Sequence, residues 1–270
     1  MKKLKVGIIG CGAIGSEIAA ACQGRLNDHI DLLAICDIDP KKTSELNSSL
    51  ERKVLVMQLD EIIEKADLVI EASSASISAK VVEKCIEGKT NCLVMSVGGL
   101  LGEERLLKLA ESRGVKVYMP SGALCGIDGL KAASIGKIDS VTLTTRKPPK
   151  GLEGAPYLKK KGIDVLSLKG ETVIFEGNAE EAVEGFPQNV NVSAVLSLAG
   201  VGARKTRVRI VTSPDYSKNI HEVEITGEFG KIVTRSENLP SKTNPKTSAL
   251  AIFSAIAKIE QIIKNVQIGT

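Results

Sequence analysis

Three features of the 270-residue sequence predict an α/β protein in which a doubly wound parallel sheet is followed by a second domain of α+β type. Short aliphatic runs alternate with helical patterns as far as Pro120, a glycine-rich turn links the first strand to the first helix, and beyond Pro120 longer strands follow one another. We place the first domain at 1–121, rejoined by a C-terminal helix within 240–270, and the second at 122–239.

Residues 4–9, 32–36, 54–57, 68–72, 92–96 and 115–119 read as strands, because each is a short β-branched or aliphatic run bounded by polar or glycine residues. Between them, 14–22, 41–50, 59–65, 79–88 and 103–113 repeat apolar residues at three- and four-residue spacing, as helices packed on a sheet require. Pro40 suits a first helical turn after Asp39 as N-cap. Past Pro120, a helix is expected at 127–135 and strands at 138–146, 172–176, 206–212, 221–227 and 231–235, with one strong helix, 190–198, among them. Strands joined by turns make a mixed or antiparallel sheet. The stretch 147–162 holds Pro148, Pro149, Gly151, Gly154 and Pro156 beside a lysine run, and reads as a mobile surface loop. The last helix, about 245–264, is apolar on one face and is expected to return to the first domain.

With 43% hydrophobic and 25% charged residues, the composition excludes disorder and fibrous repeats. Lys+Arg number 36 against 32 Asp+Glu, spread along the chain, and there are only 3 Tyr, 4 Phe and no Trp. A basic stripe and a base-stacking platform are both missing, so no nucleic-acid partner is expected. Cysteines at 11, 22, 36, 85, 92 and 125 form no CxxC or zinc-ligand spacing, so no metal is expected and reduced thiols in the cytoplasm are. The apolar run at the start breaks at Gly7, Gly10 and Gly12 and does not read as a signal peptide. No apolar stretch reaches the roughly 18 residues that span a bilayer, so no membrane partner is expected.

Gly10-Cys11-Gly12-Ala13-Ile14-Gly15 follows a strand and opens a helix, the context in which such a turn binds a dinucleotide. Gly10 permits the tight turn, Gly12 admits a pyrophosphate to the backbone, Gly15 lets helix and strand pack, and the N–H groups around Ala13 and Ile14 face the phosphates. Asp37 ends the second strand 22 residues after Gly15, where a carboxylate accepts the ribose hydroxyls of NAD and repels the 2′-phosphate of NADP. The first domain is therefore a Rossmann domain, with NAD favoured and NADP possible. The loops beginning at Ser73 and Ser96 lie at the carboxyl edge of the sheet, where such folds bind ligands, and Ser73 is a further cofactor candidate; plain helix caps would look the same.

Two histidines exist. His29 sits in a polar turn at the amino edge of the sheet and reads as surface. His221 opens an alternating strand of the second domain, where a structural role is as natural as a chemical one. A nicotinamide enzyme needs a group titrating near neutral pH, and histidine meets that need without a perturbed environment. Arg146 or Lys147, Lys246, Thr247 and Ser248 are candidates for holding substrate carboxylates, with Arg preferred for its bidentate geometry.

GCGAIG, SGALCGIDGL, TTRKP, FPQNVNVSA, NIHE and NPKTS, in this order across nearly the whole chain, resemble the L-aspartate dehydrogenase family. The resemblance implies NAD(P)-dependent oxidative deamination of L-aspartate to iminoaspartate, which hydrolyses to oxaloacetate and ammonia or feeds NAD biosynthesis. It also implies His221 as the catalytic residue and Ala123 and Asn191 as cofactor contacts. A cytoplasmic homodimer is expected. The rival readings are another Rossmann reductase, of dihydrodipicolinate reductase or homoserine dehydrogenase type, and an NAD-binding sensor without turnover.

Overall fold

A computed structural model describes residues 2–187, 191–241 and 247–269. The chain forms two compact units, one comprising residues up to Pro120 together with Ile252–Gln267, the other Ser121–Ala251 with the last residues from Ile268.

In the first unit, strands β1 (Leu4–Ile9), β2 (Ile30–Cys36), β3 (Leu55–Val56), β4 (Leu68–Glu71), β5 (Asn91–Val94) and β6 (Val117–Tyr118) form one parallel sheet in the order β3-β2-β1-β4-β5-β6. The order reverses between β1 and β4, the place where a doubly wound sheet opens a crevice for a ligand. Helices α1 (Ala13–Gln23), α2 (Pro40–Ser49), α3 (Leu59–Lys65), α4 (Ala75–Glu87) and α5 (Glu104–Arg113) make the crossovers. Local chemistry sets their starts. Asp39 Oδ1 accepts from the Lys41 N–H at 2.9 Å with Pro40 as the first residue of α2, and α3 begins with a capping box between Gln58 and Glu61. The core gathers Val6, Ile8, Ile18, Ile30, Leu68 and Leu93. Into it α10 (Ala249–Ile263) inserts Ile252, Ala255, Ile256 and Ile259, one stripe at helical spacing.

The second unit begins with α6 (Ile127–Ala133) and contains β7 (Ile138–Lys147), α7 (Pro156–Lys161), β8 (Thr172–Asn178), α8 (Ala179–Gly185), α9 (Asn191–Ala199), β9 (Thr206–Thr212), β10 (Asn219–Gly227) and β11 (Gly230–Asn238). The sheet order is β11-β10-β7-β9-β8; β7 and β9 run parallel and the other pairs antiparallel, so the sheet is mixed. One face carries Val141, Leu143, Val223 and Ile225 and packs with Leu130, Val192 and Leu196 from α6 and α9. Beside it, Val208, Ile210 and Phe175 pack with Ala182 and Phe186.

The stretch 147–162 is not a surface loop throughout. It holds a turn of 3₁₀ helix (Pro149–Gly151) and α7, and it buries Leu152, Ala155 and Leu158 against the Phe175 and Phe186 cluster. Tyr157 sets its ring 5.3 Å from Phe175 and 5.4 Å from Phe186. These apolar residues recur every third position but are diluted by proline, glycine and lysine, which is why the sequence reads as a loop. Helix α8, also unexpected, starts with a capping box between Asn178 and Glu181.

Candidate active site

The three fingerprint glycines are each required for a different reason. Gly10 has φ +100, a left-handed conformation, and a Cβ there would lie 2.5 Å from the Ala72 carbonyl oxygen. A Cβ on Gly15 would collide with the Gly10 carbonyl oxygen, so helix and strand close only on hydrogen. Around Gly12 a Cβ would meet nothing within 4 Å. Gly12 is itself the N-cap of α1, which has no side-chain cap and no acidic residue in its first turn, leaving backbone donors and the positive helix end for an anion. Asp37 accepts from the Cys11 N–H with Oδ2 at 2.8 Å and from the Asp39 N–H with Oδ1 at 2.9 Å. Its carboxylate is thereby held at the turn, while the capping of α2 falls to Asp39. A nicotinamide dinucleotide fits these groups: a cradle that a side chain would fill, free N–H donors, and a carboxylate beside them. The Cys11 thiol is pushed up to about 12 by burial and then by the Asp37 charge, so it stays protonated.

At the carboxyl edge of the same sheet, fully buried Glu71 joins two loops. Its Oε1 accepts from the Ser73 N–H at 2.8 Å and the Ser73 hydroxyl at 2.6 Å, and its Oε2 accepts from the Ser96 N–H at 3.0 Å. Ser73 thus lies on the ligand edge with its hydroxyl proton given to Glu71. Sequence reasoning missed Glu71, although a carboxylate closing an otherwise aliphatic strand was a signal.

In the second unit a polar row crosses the covered face of the sheet. His221 on β10 pairs in register with Ser236 on β11 and with Thr145 on β7. Its Nδ1 and the Thr145 Oγ1 are 3.1 Å apart. The Ser236 hydroxyl and the Asn238 amide both donate to the Ala123 carbonyl oxygen, at 2.9 and 3.1 Å, so Ala123 is tied to the strand beside His221. Lys147, two residues beyond Thr145, shares its face and is equally buried. Thr145 and Lys147 line a small cavity with Ser193 of α9, walled by Leu143, Leu152 and Val192. Ser248 bridges Pro240, and the Thr247 carbonyl oxygen accepts from the Ser241 N–H, so both sit near the end of β11 that carries Asn238. Asn191 is the first residue of α9 and is exposed. Lys246 lies outside the described residues.

Arg146 is not part of this row. Strand alternation turns it to the opposite face, where its Nη1 lies 3.7 Å from Glu222 among Arg235, Glu237 and Lys218. Lys147 shares the face of His221 instead. A second expectation also changes. Burial first and the Lys147 charge second push the His221 imidazolium down to about 3, so the ring is neutral throughout the physiological range and does not titrate near pH 7. Burial pulls the Lys147 ammonium down to about 8. Thr145, Ser236 and Asn238 went unread because their relevance depends on strand register.

Residues 10–120 match the family described as homoserine dehydrogenase, NAD binding domain, and residues 128–262 match aspartate dehydrogenase, C-terminal. The chain is 48% identical to an L-aspartate dehydrogenase of Methanosarcina barkeri over 272 positions, covering 99% of this chain and 100% of that protein. It is 39% identical to an L-aspartate dehydrogenase of Bradyrhizobium diazoefficiens, covering 99% and 95%. Among solved structures it is similar to an aspartate dehydrogenase of Thermotoga maritima, with TM-score 0.75, 26% identity, and 99% and 100% of the two chains covered.

Proposed function

The chain belongs to the L-aspartate dehydrogenase family, and from that premise we propose that it catalyses NAD(P)-dependent oxidative deamination of L-aspartate to iminoaspartate, which hydrolyses to oxaloacetate and ammonia. The observation that carries this reading is the buried His221, held by Thr145 in a polar row with Ser236 and Lys147. When bound, the nicotinamide coenzyme supplies the acceptor for the C2 hydride of the substrate. Gly10, Gly12 and Gly15, with the N–H groups of Ala13 and Ile14, hold its pyrophosphate; Asp37 holds the adenosine ribose, and Ser73, Ala123 and Asn191 are its further contacts. The hydroxyls of Thr247 and Ser248, with Lys246, take the substrate carboxylates.

His221 acts as a neutral imidazole. Where Nδ1–H donates to the Thr145 hydroxyl oxygen, Nε2 keeps its lone pair and receives a proton from the substrate amine or the attacking water. A threonine hydroxyl both donates and accepts, so the same contact holds the ring when the proton returns. A bound dicarboxylate near Lys147 offsets the positive charge that disfavours the imidazolium, which makes His221 a stronger base with substrate in place.

Three wider proposals accompany this reading. A cytoplasmic location suits six free thiols, with Cys125 exposed, and among the described residues no helix is long and apolar enough to cross a membrane. Iminoaspartate made there would feed pyridine nucleotide biosynthesis, provided that a condensing reaction captures it before water does. The chain works as a homodimer, supported by the mixed-charge face of the second sheet.

A panel of amino acids with NAD or NADP, read by coenzyme absorbance and by ammonia and keto-acid analysis, tests the function. L-Aspartate is the expected substrate, with NAD preferred and Asp37→Ser narrowing that preference by removing charge repulsion. Turnover of homoserine or of no amino acid at all would overturn the assignment.

A further inference from the structure

We propose that Lys147 is a second catalytic acid–base group, whose Nζ accepts the proton that the α-ammonium of the substrate must lose before C2 is oxidised, leaving His221 to serve the water that hydrolyses the imine. This rests on the aspartate dehydrogenase reading above and assigns separate partners to its two proton transfers.

Geometry carries the assignment. Lys147 and Thr145 occupy alternate positions of β7 and share a face, and Thr145 is the residue that holds His221 at 3.1 Å, so all three belong to one patch spanning two adjacent strands. Lys147 is 7% exposed and lines the cavity beside α9. Around it stand His221 from β10, Ile210 and Thr212 from β9, Val192 and Ser193 from α9, and Leu152 from the segment after β7. Among these described residues His221 is the titratable group. The neighbouring position, Arg146, faces the salt-bridged side of the sheet. A site wanting a fixed cation is served better by Arg, whereas a buried lysine is the cation that releases its proton readily. Burial supports this by bringing the ammonium down to about 8, while His221, at about 3, is a weak base until substrate arrives.

The chemistry balances. An N–H bond of the substrate's α-ammonium breaks, its electron pair stays on nitrogen to give the neutral amine, and the proton makes the fourth bond of the neutral Lys147 Nζ. That lone pair would close the C=N bond as the C2 hydride departs to the acceptor that a bound nicotinamide coenzyme would supply in the proposed reaction. Water then adds to C2 of the iminium and gives one proton to His221, which returns it to the nitrogen; the C–N bond breaks with its pair on nitrogen, and the carbinol O–H proton passes through His221 to the departing ammonia, which leaves as ammonium. Lys147 discharges to solvent, which accounts for the proton released in each turnover.

The test compares Lys147→Met and Lys147→Arg with the unmodified protein, using kcat and KM for L-aspartate from pH 6 to 10.5, NADH affinity by calorimetry, and circular dichroism. In the cofactor-free protein, carbon NMR of labelled lysine Cε follows Lys147 directly, its resonance assigned by its loss in Lys147→Met. We expect one lysine titrating near pH 8, kcat lowered roughly 10²- to 10⁴-fold in both variants, loss of the pH break near 8, and NADH affinity within about threefold of the original. Lys147→Arg that keeps kcat and its pH profile, Lys147→Met that raises KM alone, or a Lys147 resonance titrating above pH 10 would each overturn the assignment while leaving the aspartate activity standing. An unmodified protein that binds NADH and never turns over L-aspartate would overturn both.

Discussion

His221 is a buried base that the fold keeps unprotonated. Its folded pKa of about 3 lies below the ordinary 6.5, so above pH 6.5 both folded and unfolded chains hold it neutral and no penalty arises. As pH falls from 6.5 towards 3, the unfolded chain binds a proton that the native site refuses, and stability drops by about 1.4 kcal/mol per pH unit. Lys147 works in the same direction at the other end: between about 8 and 10.5 the unfolded chain again holds more protons, so stability rises with pH through that window. His221→Asn should therefore lose roughly 10²- to 10⁴-fold in kcat, about 3–5 kcal/mol, keep NADH affinity, and unfold less readily than the unmodified protein at pH 4–5. Steady-state rates and thermal melts across pH check both halves. A variant that keeps most of its turnover would show that the water step does not use this ring. None of this titration behaviour was legible in the sequence, because it follows from burial and from a lysine on another strand, whereas the candidacy of His221 needed only the count of two histidines, the surface setting of His29 and the NIHE motif.

Among the elements, the fingerprint turn was readable in full because its meaning is local. Three glycines, a strand before and a helix after suffice, and the surroundings of the glycines differ: backbone crowds Gly10 and Gly15, while Gly12 stands in open space. This separates two substitutions that look alike. Gly12→Val enters open space at φ −77, an ordinary value for valine, so the protein should fold while the side chain occupies the place of the pyrophosphate. Calorimetric titration with NADH should show at least a tenfold loss of affinity with an unchanged circular dichroism spectrum, and wild-type affinity in a folded Gly12→Val would contradict the cradle. Strand pairing in the second unit is the opposite case. The contact between Thr145 and His221 joins residues 76 apart in sequence, and no local period encodes that register. Strand alternation turns Arg146 and Lys147 to opposite sides, but which side is covered depends on α6 and α9, so the arginine preferred for its bidentate geometry lies on the face away from His221.

At the scale of the whole molecule, the second sheet has one face buried under helices and another that displays charge. On that second face Arg146, Arg209, Lys231 and Arg235 alternate with Glu176, Glu222, Glu224 and Glu237, most of them in ion pairs that are one-third or more exposed. Exposed pairs of this kind contribute little to the stability of a single chain. Val173 and Val233, 40% and 55% exposed, add apolar surface. A face of mixed sign offers cations and anions that a twofold axis can set opposite each other, and twofold contacts are the commonest in homo-oligomers. Arg146 Nη1, buried and without a hydrogen-bond partner at its 3.7 Å distance from Glu222, is a donor that a second copy could satisfy. Sedimentation velocity at micromolar concentration should give twice the 28.6 kDa chain mass, and Arg146→Glu, which places a second carboxylate beside Glu222, should shift the population towards monomer. A protein sedimenting as a monomer would end the proposal of a homodimer. A dimer indifferent to Arg146→Glu would keep the homodimer and move its interface to another surface, leaving this sheet face to solvent.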